Sequence, residues 1–291
     1  MVKILITGAN SYIGTSVENW LASRADKYIV DTIDMISASW KDKDFSQYDV
    51  VFHVAGIVHQ KEEPTMEKLY DEVNHFLPVE AAKKAKASGV KQFIFLSTGA
   101  VYAQSNAKSK NIIISNKSDF SPVGYYGISK LKAEKEILPL QDEGFAVVIL
   151  RPPMVYGKGG KGNYQQLSKI AKKIPIFPII DNKRSMLYIN NLCEFIRLMI
   201  DNEESGIFHP QNREYVNTSE LVELIAAVNG KKIYMTRIFN PLISVMGKFM
   251  DEVNKAFGTF IYERELSEYN GGDYCVVDFK QSIICSEIVD I

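Results

Sequence analysis

The chain opens Val2-Lys3-Ile4-Leu5-Ile6-Thr7-Gly8-Ala9-Asn10-Ser11-Tyr12-Ile13-Gly14, and this stretch decides the fold. Val2–Thr7 is a short apolar, β-branched run of the kind that forms a strand. Gly8 ends it, and a helix is predicted from about Tyr12 to Ser23. In a strand–turn–helix unit, a glycine turn lets backbone N–H groups and the helix N-terminus approach a pyrophosphate. The middle glycine usual in such turns is Ser11 here, and a side chain at that point narrows the approach to the phosphates. The competing reading is a tight turn with no ligand.

Outward from this unit, strands and helices alternate. Tyr28–Ile33 is the second strand and ends at Asp34. Asp49–Val54 is the third, followed by a helical stretch from Met66 to Ser88 in which Pro78 should kink or restart the helix. Gln92–Leu96, a helix around Lys130–Leu138 and a strand at Ala146–Leu150 follow. The pattern predicts an α/β fold: a doubly wound parallel sheet covered on both faces, with right-handed crossovers. Beyond Gly157 the regularity fades, with helices expected at Asn191–Asp201 and Ser219–Val228 and a strand at Ile207–His209. Such a second half forms a smaller lobe over the carboxyl edge of the sheet, where ligands sit in open α/β folds. Ile243, Met246, Phe249, Val253 and Phe257 fall at helical spacing within Ile243–Phe260. Packing against the lobe or a partner subunit suits that stretch better than a membrane surface, because its polar face mixes Lys248, Asp251, Glu252 and Lys255.

Composition bounds the function. The 291 residues are 46% apolar and 24% charged, with 34 basic against 35 acidic side chains and a net charge of −1. These proportions support a full core and supply no basic stripe, which argues against nucleic acid as a partner. Three cysteines, Cys193, Cys275 and Cys285, are widely spaced and form no metal motif, as expected of a reducing compartment. His53 lies in an apolar strand and reads as a satisfied core histidine; no metal site is expected. The N-terminal apolar run is too short for a signal peptide, and no run nears the ~18 residues of a membrane span. The expected setting is soluble and cytoplasmic.

Three constellations carry chemistry. Asp34 follows the second strand twenty residues after Gly14, where a carboxylate can accept hydrogen bonds from adenosine ribose hydroxyls. It would repel a 2′-phosphate, and no Arg or Lys lies between Met35 and Trp40 to compensate, so NAD is favoured over NADP; Asp31, within the strand, is the alternative. Ser97 and Thr98 end an apolar run. Tyr126 stands four residues before Lys130, which puts both on one helix face. A lone tyrosine, pKa ~10, is a poor base at neutral pH, whereas a nearby ammonium and a cationic nicotinamide ring would stabilise its phenolate. Together these point to redox chemistry on an alcohol or ketone.

Read jointly, Thr7–Gly14, Asp49–Gly56, Asn74, Phe95–Tyr102, Tyr126–Lys130 and Arg151–Gly157 resemble the NAD-dependent epimerase/dehydratase family, extended short-chain dehydrogenases/reductases acting on nucleotide-diphosphate sugars. The resemblance implies a Rossmann-type NAD-binding domain over 1–157, completed by segments around 187–210. It also implies a smaller substrate-binding lobe from 158–186 and 211–291. NAD would lie on Gly8, Asn10, Ser11, Tyr12, Ile13, Gly14, Asp34, Ala55, Gly56, Asn74, Ser97, Tyr126, Lys130 and Pro153. Matching by distance to Tyr102 places the family's catalytic hydroxyl on Thr98, with Tyr126 as acid/base and Lys130 on the nicotinamide ribose. Thr98, Tyr126, Asn163 and Arg184 would hold the substrate, Arg184 on the diphosphate. The usual acid after that arginine is Ser185 here, and Met154 replaces a frequent asparagine. A homodimer through two helices, one of them bearing Tyr126, is also implied.

Three chemistries share this scaffold. Dehydration needs an acid and a base to eliminate water, which the family this chain resembles places as Asp-Glu directly after the threonine; here those positions are Gly99 and Ala100, which disfavours it. A 4-epimerase acting on a UDP-hexose or its N-acetyl form is the leading expectation, with a role in surface-polysaccharide synthesis suggested by the resemblance alone. A 4-ketoreductase consuming NAD(P)H is the alternative. A non-catalytic cofactor-binding module is a third reading, opposed by the intact Thr98, Tyr126 and Lys130.

Overall fold

In a computed structural model, residues 1–58, 63–102, 111–241 and 257–288 are described. Six parallel strands form the central sheet: β1 (Val2–Thr7), β2 (Tyr28–Ile33), β3 (Val50–His53), β4 (Gln92–Leu96), β6 (Ala146–Leu150) and β10 (Gly206–Phe208), in the order β10-β6-β4-β3-β1-β2. In the inner strands β1, β3, β4 and β6 the apolar runs are nearly unbroken because both faces are covered, whereas the edge strands β2 and β10 are only partly buried. Ile4, Ile6, Phe52, Ile94 and Val148 enter one core with helices α1 (Tyr12–Ala22) and α6 (Ile189–Asp201). Leu5, Val51, Phe93, Val147 and Ile149 point the other way, into a core shared with α3 (Leu77–Ala87) and α4 (Gly124–Ile137). The chain leaves β1 for β2 on one side and returns to β3 on the other. That reversal opens a crevice at the carboxyl ends of β1 and β3.

The helical stretch before α3 is broken where Pro78 requires it. A first segment, α2 (Glu67–Asp71), runs into one π turn at Glu72–Phe76, closed by the Leu77 N–H donating to the Glu72 carbonyl. Proline lacks the N–H that would serve the carbonyl four residues back, and the wider turn absorbs the mismatch. Pro78 then sits in the first turn of α3. The wider turn also turns Asn74 inward, fully buried.

Beyond the main sheet the chain forms short parallel pairs. β5 (Asn111–Ile114) pairs with β12 (Thr259–Tyr262), β7 (Met154–Tyr156) with β9 (Met186–Tyr188), and β8 (Ile176–Pro178) with β11 (Tyr234–Thr236). Helices α5 (Asn163–Ala171), α7 (Thr218–Val228) and α8 (Phe279–Glu287) pack around them. Glu287 fixes α8 by accepting from Tyr164 at 2.8 Å and Ser168 at 3.0 Å on α5. The helix read at Ile243–Phe260 lies largely outside the described residues. Its end is corrected: Thr259 and Phe260 belong to β12, and Phe257 stacks against Phe177 at 6.1 Å. Among the described residues no helix is long and apolar enough to cross a membrane.

Candidate active site

At the end of β1 the backbone turns through Gly8, whose φ of 111° suits glycine. A Cβ there would lie 2.8 Å from the Ala55 nitrogen, so glycine is also what lets β1 and the β3 terminus close on one another. Asn10 takes a left-handed φ of 64° and stays exposed. Ser11 then caps α1, its hydroxyl accepting from the Gly14 N–H at 3.1 Å. The serine in place of glycine therefore uses one helix-end amide for itself. The Tyr12 and Ile13 amides at the first two helical positions have no intrahelical acceptor, and they are the ones left for an anion. Tyr12 turns its ring towards the glycine run after β7: a Cβ at Gly157 would meet its hydroxyl at 2.7 Å.

The two acids considered for the ribose are both exposed and differ in their partners. Asp31 accepts from the Tyr48 hydroxyl at 2.5 Å. Asp34 stands exposed past the end of β2, with one oxygen taken by the Ile36 N–H at 2.9 Å. Opposite, Gly56 packs on Asn74 and Lys130, where a Cβ would come within 2.9 Å of the Asn74 Oδ1 and 3.5 Å of the Lys130 Nζ. Asn74 pins this loop by bonding both the N–H (2.9 Å) and the carbonyl (3.0 Å) of Ile57. A glycine turn, open helix-end amides, an exposed carboxylate at the neighbouring strand and a floor without side chains at Gly56 form a cradle that fits a dinucleotide.

Thr98 and Tyr126 meet. Helix α4 lies hard against the loop after β4, where a Cβ at Gly127 would be 2.8 Å from the Ala100 carbonyl oxygen. The Ala100 N–H donates to the Thr98 Oγ1 at 3.1 Å, leaving the threonine O–H to donate to the Tyr126 phenol, with which it is hydrogen-bonded. Burial pushes the phenol above its ordinary value, Thr98 pulls it back and Tyr70 adds to the rise. The lysine-driven lowering expected from the sequence is thus not set by the folded chain itself. The Lys130 Nζ turns instead to the Leu96 carbonyl, 2.8 Å away, and lies 4.5 Å from the centre of the Phe95 ring. Burial brings this lysine down to about 7, with Glu134 pulling it back up.

The remaining expected residues are dispersed. Ser97 is buried and gives its hydroxyl to Glu134, while Pro153 lies buried just past the carbonyl of Pro152 that accepts from Gly99. Asn163 opens α5 in an exposed position. Arg184 exchanges backbone bonds with Val216 at 2.9 Å and donates to the Gly258 carbonyl at 3.2 Å. Ser185, at the position of the family's usual acid, is buried and donates to Gln211 at 2.5 Å. His53 is only half satisfied: Nδ1 is 2.8 Å from the Thr7 hydroxyl, but Nε2 has no hydrogen-bond partner among the described residues.

Two features escaped the sequence. Glu134 and Arg151 form a buried ion pair, Arg151 reaching on to the Tyr102 hydroxyl at 2.5 Å and Tyr102 pairing with His209 at 2.9 Å. Glu134 continues the spacing of four from Tyr126 and Lys130, a signal that was there to be followed. Tyr262 of β12 is fully buried, donates to the Arg151 carbonyl at 2.9 Å and would stand 2.2 Å from a Cβ at Gly99. No local pattern marks it.

With this geometry in place, comparison with known proteins is direct. The pattern of the NAD dependent epimerase/dehydratase family matches residues 4–215. The chain belongs to this family. As a member it is an NAD-using enzyme with a Rossmann-like parallel sheet. It is similar to a UDP-glucose 4-epimerase from Vibrio cholerae, 29% identical over 88% of this chain and 86% of the relative. It is also similar to a UDP-2-acetamido-2,6-beta-L-arabino-hexul-4-ose reductase from Pseudomonas aeruginosa, 27% identical over 76% of this chain and 56% of that one. In fold it resembles MoeE5 in complex with UDP-glucose and NAD, at a TM-score of 0.69 and 16% identity, over 98% and 97% of the two chains.

Proposed function

We propose that this family member is a nucleotide-sugar 4-epimerase acting on a UDP-hexose or UDP-N-acetylhexosamine, with residues 158–186 and 211–291 as its substrate lobe. The observation that carries the reading is the Thr98–Tyr126 hydroxyl pair at the carboxyl end of β4, beside a position 99 that has no room for a side chain. NAD held on the Gly8–Gly14 turn, Asp34, Ala55, Gly56 and Asn74 supplies a hydride acceptor and donor. Tyr126, as the phenolate that the cationic nicotinamide ring of bound NAD and the Thr98 hydrogen bond would favour, takes the proton of the C4 hydroxyl as that carbon is oxidised, and Thr98 orients the same oxygen. After the 4-keto sugar has turned over, Tyr126 returns the proton to O4 as C4 is reduced on its other face. Electrons and protons balance over the cycle, so no external reductant is consumed.

Lys130 faces the ribose side of the crevice through Gly56, and Arg184 and Asn163 grip the nucleotide diphosphate and sugar. Leu69, Phe76 and Ile128 stand exposed on or beside α2 and α4, consistent with a homodimer through these helices. The reductase relative supports a second reading, in which only the reducing half runs and NAD(P)H is consumed. Incubation with UDP-sugars without added cofactor, followed by proton NMR, separates the two. Equilibration of the C4 epimers is expected; reaction only after a 4-keto sugar and NADH are supplied assigns the chain to the reductases.

A further inference from the structure

Helix α4 carries a third functional position beyond Tyr126 and Lys130. Glu134 lies one further turn along the same face, and its side chain is 4% exposed. Its carboxylate receives the Arg151 guanidinium through Nε at 3.1 Å to each oxygen and through a terminal nitrogen at 2.5 Å. It also accepts the Ser97 hydroxyl. The arginine is equally buried, at 4%, and its carbonyl and guanidinium tie in Tyr262 and Tyr102. A buried ion pair is at best weakly stabilising compared with apolar residues of the same volume, so stability alone does not explain it.

Its two attachments to the reaction centre do. Ser97 precedes Thr98 and continues the β4–β6 ladder, its N–H donating to Leu150 at 2.8 Å. Lys130 feels the negative charge of Glu134. The other groups around that lysine are neutral: the Leu96 carbonyl and Phe95 ring from β4, Asn74 from the π turn across Gly56, Tyr126 one turn earlier and the buried His53 imidazole of β3. Arg151, the remaining nearby cation, is itself clamped on Glu134.

We propose that Glu134 is a positioning residue of the reaction: clamped by Arg151, it holds the Ser97–Thr98 step through one hydroxyl and supplies, one helical turn from Lys130, a fixed negative charge that favours the protonated lysine. This rests on the placement of Lys130 in the site described above. A buried lysine favours its neutral form, and a carboxylate one helical turn away opposes that. Without it, burial would act on Lys130 unopposed, and the lysine would give up its proton, and with it the charge it presents to the bound dinucleotide, at a lower pH than in the intact site.

The test follows the lysine directly. Protein labelled with 13Cε-lysine, with Lys130 assigned from the resonance missing in K130M, is titrated by NMR as wild type, E134Q and E134D. E134Q keeps the shape and removes the charge, and the Lys130 midpoint is expected to fall by about one unit. E134D keeps the charge and is expected to stay near the wild-type midpoint. In turnover assays the basic limb of kcat should move with it. A folded E134Q whose Lys130 midpoint and basic limb are both unchanged overturns the proposal. If E134Q does not accumulate as folded protein, E134Q/R151M leaves no charge unpaired; it should show a shift of the same sign, and its absence is equally decisive. The NMR midpoint does not depend on sugar turnover. A chain that fails to epimerise yet shows the shift loses the epimerase reading and keeps this one.

Discussion

Gly99 and Tyr262 form a testable lock between the nucleotide-binding sheet and the lobe. Replacing Gly99 by alanine puts a Cβ 2.2 Å from the Tyr262 hydroxyl and 3.2 Å from its Cζ, where ordinary contact begins near 3.4 Å. The tyrosine cannot swing clear: it is fully buried, bonded to the Arg151 carbonyl at 2.9 Å and packed edge-on against His209 at 5.4 Å. Gly99→Ala should therefore cost about 2–3 kcal/mol, the upper range for overpacking. Tyr262→Phe alone removes the hydroxyl and leaves a buried carbonyl without its partner, costing about 1–2 kcal/mol. In the double variant the worst contact is gone, and only the Cζ contact needs a shift of a few tenths of an ångström. The double variant should then be destabilised by about 1–2 kcal/mol rather than the additive 3–5, a coupling of roughly 2 kcal/mol. Urea unfolding measures this: at an m-value of about 3 kcal/mol/M, that coupling is a midpoint difference of ~0.7 M. Additivity within ~0.5 kcal/mol would refute the lock. It would also undercut the reading that position 99 has no room for a side chain.

Tyr126→Phe should lower turnover about 10²–10⁴-fold, the usual worth of a general acid–base, while calorimetric affinity for NAD stays unchanged; surviving sugar turnover removes Tyr126 from the mechanism. Asp34→Ala should weaken NAD about 10-fold through loss of charge-assisted bonds to the ribose and reduce discrimination against NADP. Asp31→Asn should leave that ratio alone and lower Tm through the loosened Tyr48; the reverse pattern would transfer the ribose role to Asp31. His53 supplies a pH dependence: burial holds it down to about 3, against an unfolded value near 6.5. Since the folded value is depressed, its contribution is complete above about pH 6.5 and is lost as pH falls towards 3, on the order of a few kcal/mol. His209, held to about 3 by the same cause, acts in the same window. His53→Asn should therefore flatten the fall in urea midpoint between pH 6.5 and 4 by about half, and an unchanged slope would mean that the imidazole is protonated in the fold.

What was legible in the sequence was what local chemistry controls. The four inner strands of the main sheet are buried on both faces, so a nearly continuous apolar run marks each without knowledge of its partner. The glycine turn and the Tyr126–Lys130 spacing are likewise contained in a few consecutive residues. The lobe was poorly legible for the opposite reason. Its strands are three or four residues long and pair across wide separations, as Thr259–Tyr262 does with Asn111–Ile114, so each lacks a periodicity of its own. The difference between Asp31 and Asp34 also needed three dimensions, because the bond from Tyr48 to Asp31 joins residues 17 positions apart.

The expected phenolate chemistry shows most clearly where sequence spacing stops informing. A tyrosine and lysine four apart share a face, but a shared face does not fix where each polar end points. Burial makes that choice: a buried ammonium must find an acceptor, and the nearest is the Leu96 carbonyl at the end of β4. Lys130 is thereby held towards the strand ends and the Gly56 floor, and Thr98 becomes the hydrogen-bonding partner that eases the Tyr126 phenol. Helix α4 can deliver both groups only because Gly127 lets it touch the Ala100 backbone. A side chain at Gly127 would push the helix outward and separate Tyr126 from Thr98 before it disturbed Glu134, which Arg151 holds from the sheet. The close packing of this helix and the alignment of its reactive face are therefore one constraint, and a substitution at Gly127 should cost activity in proportion to the displacement it forces.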